Sequence, residues 1–252
     1  QELLSYHSLG IMRELKPYTY FKNNQSERAI ESKYTLEGNV LGFEIPNAPK
    51  LHANESIVID PTMIFSSFSG STADNFGSTA TYDEAGNLFG AGTVFGAGYP
   101  VTLGAYQTTV NAGTAFSNPD IGITKFASNG STRIYSTYLG GTSCDQPHSL
   151  ICDKNDRLIV FSTTSSANYP TTTNAFDRTF NGGTAVTLGG LGTNYANGAD
   201  MVVTKFNPSG TGLIGSTFLG GSGNDGINSS PLLHVNYGDQ VRGEVLLDSN
   251  DN

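Results

Sequence analysis

The chain has 252 residues, 37% of them hydrophobic and only 14% charged, with 31 glycines, 12 tyrosines, 14 phenylalanines and no tryptophan. Its net charge of −9 leaves no basic footprint for a phosphate backbone, so nucleic acid is not an expected partner. Glycine and aromatic enrichment with so few charges favours short strands and tight turns over amphipathic helices, and no window approaches the roughly 18 apolar residues of a membrane-spanning helix.

The sequence starts at Gln1 without a leader-like stretch and reads as a mature or excised segment. Residues 1–62 read as a small β-rich domain, in which "KYTL" and "VLGFEI" flank Glu37, Gly38 and Asn39, a hairpin signal. From residue 63 to 252 the chain repeats itself. "IFSSFSGSTADN" begins at Ile64, "IYSTYLGGTSCD" at Ile134 and "IGSTFLGGSGND" at Ile214, at spacings of 70 and 80. "YDEAGNLFGAG" from Tyr82 is answered by "CDKNDRLIVFS" from Cys152, and "YPVTLGAYQ" from Tyr99 by "YPTTTNAFD" from Tyr169. "DIGITKFASNGS" from Asp120 returns as "DMVVTKFNPSGT" from Asp200. The ten added residues fall in "NGGTAVTLGGLGTNYANG", which reads as a surface loop that has grown.

Each unit carries four strand signals, in the second unit at 148–153, 157–163, 201–206 and 213–219. A short Asp/Asn turn joins the first two and "NPSGTG" the last two, which makes an antiparallel meander. In "MVVTKF" Met201 and Val203 point to one face, Val202 and Phe206 to the other. A sheet apolar on both faces must be covered on both, as the blades of a β-propeller cover one another. The expected fold is therefore all-β: about two and a half four-stranded propeller blades after a small β-rich domain. Closure needs at least ~4 blades, so the chain is expected to be part of a longer one or to be closed by another segment.

These units resemble the bacterial β-propeller repeat known as SBBP. The resemblance rests on Thr204, Lys205 and Phe206, the turn Asn207–Gly210, the strand Ser216–Gly221, Gly86 and Asn87, and Tyr169, Pro170 and Thr171, and it spans residues 64 to about 247. "RELKPYTYFKNN", "SKYTLEGNVLGFEI" and "SIVIDPTMIFSSFSG" are similar to the domain preceding such repeats in large secreted proteins of Bacteroidetes. The resemblance implies export across the outer membrane, often by the type IX system, with the secretion machinery as a partner and a secreted or cell-surface location. Ser69 and Ser71 depart from the repeat, and the third unit stops after about two strands.

Catalytic patterns are absent. His7, His52, His148 and His234 are scattered, and no HExxH, CxxC, GxSxG or P-loop string occurs. The polar candidates recur with the repeat: Asp145 and Asp225 after the double glycine, Asn75 in the first copy, and Asp83 and Asp153 at the hairpin. They either coordinate calcium at one rim or accept backbone N–H groups in Asx turns, and recurrence in every unit favours the turns. Lys125 and Lys205 share a strand position and are expected to be solvated or to guard an edge. Tyr99, Tyr106, Tyr169 and Phe176 are expected to plug gaps between blades, with sugar stacking as the alternative. Cys144 and Cys152 bound a stretch read as half loop and half strand, and are expected to be free.

No catalytic residue, metal ligand or cofactor is assigned, and no enzymatic activity is expected. The expected function is that of an exported scaffold or adhesive module that meets surface proteins or glycans. The alternative is a carbohydrate-binding or carbohydrate-active propeller using loops 107–119 and 178–199, and a third reading is calcium-stabilised structure.

Overall fold

A computed structural model describes residues 3–7, 10–14, 16–23, 26–38, 40–60, 67–111, 118–189, 192–230 and 240–251, with the backbone alone for 3–14. The described residues contain strands and turns and no helix. The chain divides into two compact units, Gln1–Ser66 and Ser67–Asn252.

The first unit holds β1 (Leu3–His7), β2 (Gly10–Glu14), β3 (Tyr18–Lys22), β4 (Glu27–Ala29), β5 (Lys33–Glu37), β6 (Val40–Glu44) and β7 (Ser56–Asp60). They form the hairpin β1-β2, the three-stranded sheet β4-β3-β7 and the hairpin β5-β6. The β5-β6 hairpin is the one that "KYTL" and "VLGFEI" announce: Glu37 pairs with Val40 across a turn in which Gly38 takes φ +60°, a left-handed conformation that glycine adopts without a Cβ clash.

The second unit opens with β8 (Asp74–Tyr82), β9 (Leu88–Phe95), β10 (Asp120–Phe126) and β11 (Arg133–Leu139), an antiparallel meander in spatial order β11-β10-β9-β8. It continues with β12 (Asp145–Cys152), β13 (Leu158–Thr164), β14 (Val186–Leu188), β15 (Thr193–Tyr195), β16 (Asp200–Phe206) and β17 (Leu213–Leu219). Strands β12-β13-β16-β17 make a second meander, and β14-β15 is a separate hairpin inserted within it. None of the sheets closes on itself. Even the irregularities repeat: the first strand pair bulges at Gly77/Thr79 and again at Pro147/Ser149, and the last pair at Lys125/Phe126 and again at Lys205/Phe206. Pro147, which cannot donate to a ladder, lies at a bulge on an edge strand, where its missing N–H is tolerated.

The two meanders stack. Strand β12 lies against β8, β9 and β10, and one apolar core joins Phe89, Ile121, Ile123 and Leu139 of the first sheet to Leu158, Val160, Val202, Phe206 and Phe218 of the second. Each such side chain contributes about 1.5–3 kcal/mol on burial, so this layer outweighs any single polar contact at the joint.

Four expectations change here. The stretch between the cysteines is strand throughout, because Gln146 and Pro147 already pair with Thr163 and Ser162. At about 3.3 Å per residue the two Cα atoms stand on the order of 25 Å apart, and both thiols are free. The extra residues form no simple surface loop: Leu188, Thr193 and Tyr195 of the β14-β15 hairpin are buried, and the Tyr195 hydroxyl donates to Gln146 Oε1 at 2.8 Å. "MVVTKF" is covered fully only on the Val202/Phe206 face, with Met201 and Val203 half-buried. Its counterpart β10 is buried on both faces from Asp120 to Lys125, because only the first sheet has the second packed on it. Finally, residues 67–70 and 240–251 form no strand, while 61–66 and 231–239, with His234, lie outside the described residues.

Candidate functional site

The repeat-linked acids gather at two places. The first is the turn joining the first two strands of each meander. Asp83 Oδ1 accepts from the Asn87 amide at 2.8 Å, and Asp153 Oδ1 from the amides of Asn155 and Arg157 at 2.9 and 3.0 Å, so the Asx-turn role holds.

Their second oxygens take the lysines, and here the expectation of solvated lysines fails. Lys125 is 2% exposed; its ammonium lies 2.9 Å from Asp83 Oδ2 and 2.6 Å from both oxygens of Asp156 in the second sheet, over the Phe89 ring. Lys205 repeats the contact within its own sheet, 2.8 Å from Asp153 Oδ2, which also receives Arg157 Nε at 2.6 Å. The physical reason is register: Lys125 pairs across β9-β10 with Phe89, next to the turn, so its stem crosses the apolar layer to reach the carboxylates. Burial works against the Lys125 charge, but hydrogen bonds to Asp156 and Asp83 outweigh it and hold the ammonium above its usual range. Burial likewise opposes ionisation of Asp83 and Asp153, yet Lys125 with Asn87, and Lys205 with Arg157, hold both carboxyls below the ordinary value.

The second place is the glycine crossing from each outer strand. Asp145 Oδ2 accepts from the Gly141 amide at 2.7 Å and from Ser166 Oγ at 3.0 Å, and Oδ1 accepts from Thr164 Oγ1. Asp225 Oδ2 accepts from the Gly221 amide at 2.8 Å, four residues back, as Asp145 does. Both acids therefore fasten the crossing backwards along the chain. Asn75 does otherwise, donating Nδ2 to the Ala73 carbonyl at 3.0 Å. Sequence reasoning passed over the partners Asp120 and Asp200, although both open the recurring "DIGITKF" and "DMVVTKF" strings. It also passed over Asp156, which stands where the first unit has Gly86; the two share a positive φ, of 60° and 80°.

Residues 1–62 match a domain of unknown function, DUF7948. No curated protein matches the chain. None of the recurring acids, lysines or aromatics described here falls within the DUF7948 segment.

The aromatics mostly plug gaps. The Tyr169 hydroxyl meets Thr204 Oγ1 at 3.3 Å and the Tyr99 hydroxyl meets Thr124 Oγ1 at 2.6 Å, the same contact in each meander. Tyr106 sets its ring edge-on to Phe206 of the second sheet, centroids 5.9 Å apart. Phe176, its repeat counterpart, is 91% exposed instead, beside a shallow cavity of about 280 Å³ lined by Val203, Lys205, Ile214 and Gly215. His148 is buried on β12, with Nε2 2.7 Å from Thr163 Oγ1 and Gly243 packed near its other nitrogen; burial lowers its pKa to about 4. Thr163 itself has no solvent access. Among the described residues no group of three or more His, Cys, Asp or Glu side chains is placed to hold a metal ion, and no helix is long and apolar enough to cross a membrane.

Proposed function

We propose that residues 67–252 are stacked blades of a β-propeller of the SBBP type, and that the chain is a non-enzymatic, exported scaffold or adhesive interaction module. The observation that carries this reading is the stacking of two four-stranded meanders that repeat the same strand order and the same bulge positions. The recurring polar residues are taken up by that architecture: Asp83, Asp153 and their lysines fasten turns, and Asp145 and Asp225 fasten crossings. The uncovered face around Phe176 is where a further unit, or a partner protein, fits the pattern set by Tyr106. The carbohydrate reading draws less support, since the hairpin within 178–199 turns Tyr195 into the interior.

The test is to incubate the tagged chain with envelope and surface fractions of the producing cell and to screen the same protein on a glycan array. The expected outcome is capture of an outer-membrane export component or surface protein with a silent array. Saturable glycan binding that is lost on deleting residues 178–199, or turnover of a glycoside, would contradict the scaffold reading.

A further inference from the structure

Residues 240–251 lie against the second meander in an extended run. From Val241 to Leu247 every second residue is half-buried, with Arg242, Glu244 and Leu246 exposed between them, the period of a strand laid on a sheet. "GEVLLDSNDN" from Gly243 answers "HSLICDKNDR" from His148, and the turns agree. Asp248 Oδ1 accepts from the Asn250 amide at 2.8 Å and the Asp248 carbonyl from the Asp251 amide at 3.0 Å, as Asp153 does with Asn155 and Asp156. Asp251 has the positive φ of Asp156, 63° against 60°. The run thus stands where a third unit would begin. The Asn228 amide donates to the Gln240 carbonyl at 2.8 Å, Ser149 Oγ to Glu244 Oε2 at 3.1 Å, and Lys154 Nζ lies 3.1 Å from Asp251 Oδ2.

The middle of this run seals a histidine. A Cβ on Gly243 would run into the Phe161 ring and stand 3.0 Å from His148 Nδ1, so only glycine fits there. His148 is 9% exposed and sets its ring edge-on to Phe161, centroids 5.3 Å apart. The Thr163 hydroxyl gives its one proton to the Gly226 carbonyl at 3.2 Å, so it accepts from His148 Nε2 at 2.7 Å, which leaves Nδ1 without a proton. Nδ1 is buried and has no hydrogen-bond partner. A proton added there would point at Gly243 with nothing to accept it, and a buried unpaired N–H on a charged ring is costly. Of the charged groups flanking Gly243, Arg242 and Glu244 are exposed, and the Glu244 carboxylate takes Ser149 instead. β13 faces the ring with the uncharged Phe161 and Thr163. We propose that residues 240–251 form a strap on the second meander, and that protonation of His148 releases it and uncovers the face of β12 and β13. Burial lowers His148 to about 4, in the same direction.

A histidine whose docked value lies below the free ~6.5 favours the docked state fully above that value, and the preference is lost as pH falls toward the docked one. With about 4 for the docked ring, the docking constant falls roughly 20-fold between pH ~7 and ~5. The experiment is NMR of the whole chain from about pH 8 to about pH 4.5, reading the Overhauser contact between the Gly243 α-protons and the Phe161 ring together with the imidazole nitrogens of His148. The contact is expected to be strong at the alkaline end and to fade as His148 takes its proton, while cross-strand contacts of β13 and β16 persist. His148→Phe, which cannot be protonated, is expected to keep the contact at the acid end. Loss of the contact at the same pH in His148→Phe as in the parent, or protonation of His148 with the contact intact, overturns the proposal. Should His148→Phe fail to fold, Gly243→Ala decides: crowding Phe161 opens the strap at neutral pH and is expected to return His148 to about 6.5. An unshifted His148 titration in an opened Gly243→Ala chain overturns the proposal as well.

Discussion

Lys125 joins two strand turns through one buried ammonium, and its removal leaves Asp83 and one oxygen pair of Asp156 without a cation. Breaking a buried pair on one side costs about 3–5 kcal/mol, and since the Asp156 side chain is 41% exposed the lower end applies. Lys125→Met is therefore expected to lower the urea midpoint by the equivalent of about 3 kcal/mol at unchanged m-value. Lys205→Met costs less, about 1 kcal/mol, because its side chain is 23% exposed and Arg157 stays on Asp153. Asp83 and Asp153 are held below their unfolded value, so their contribution is present above about pH 4 and is lost as pH falls through the folded values. Acid unfolding followed by circular dichroism is expected to begin at higher pH in Lys125→Met than in the parent. The turn half of this site was legible in the sequence, since an acid two residues before a turn amide is a local signal. The lysine half was not, because Lys125 meets acids 42 positions before it and 31 after it, and only strand register brings them together.

Between β8 and β9 the backbones come so close that Gly92 has no room for a side chain: a Cβ there would lie 2.2 Å from the Phe76 carbonyl oxygen. Neither backbone can yield cheaply, so Gly92→Ala is expected to cost about 1–3 kcal/mol. Gly90, two residues earlier on the same face, meets nothing within 4 Å, and Gly90→Ala is expected to stay within about 0.5 kcal/mol of the parent. Paired thermal melts of the two variants check the contrast. At this scale the inner strands of each meander were the most readable, because β9, β10, β13 and β16 are rich in apolar and β-branched residues and bounded by turn chemistry. The β14-β15 hairpin was not. Its strands are three residues long and set among glycines, which looks like loop, and what fixes it is the distant hydrogen bond from Tyr195 to Gln146.

Across the two sheets the same sequence position has two fates. Tyr106 is clamped against Phe206, whereas Phe176, seventy residues on, faces solvent. Tyr106→Ser is expected to destabilise by about 1–3 kcal/mol and Phe176→Ser by less than about 0.5 kcal/mol, a difference read from denaturant midpoints. Repetition in the sequence foretold that sheets would stack, but not which faces would be left open, since that depends on what lies beyond each sheet in space. The packing of the second meander onto the first underlies all of these expectations. Nuclear Overhauser contacts of the Tyr135 ring test it most directly, because a Cβ on Gly210 would lie 2.4 Å from that ring. Stacking predicts strong cross-peaks from Tyr135 to Gly210 and from Tyr106 to Phe206. Aromatic cross-peaks confined within each meander would contradict it.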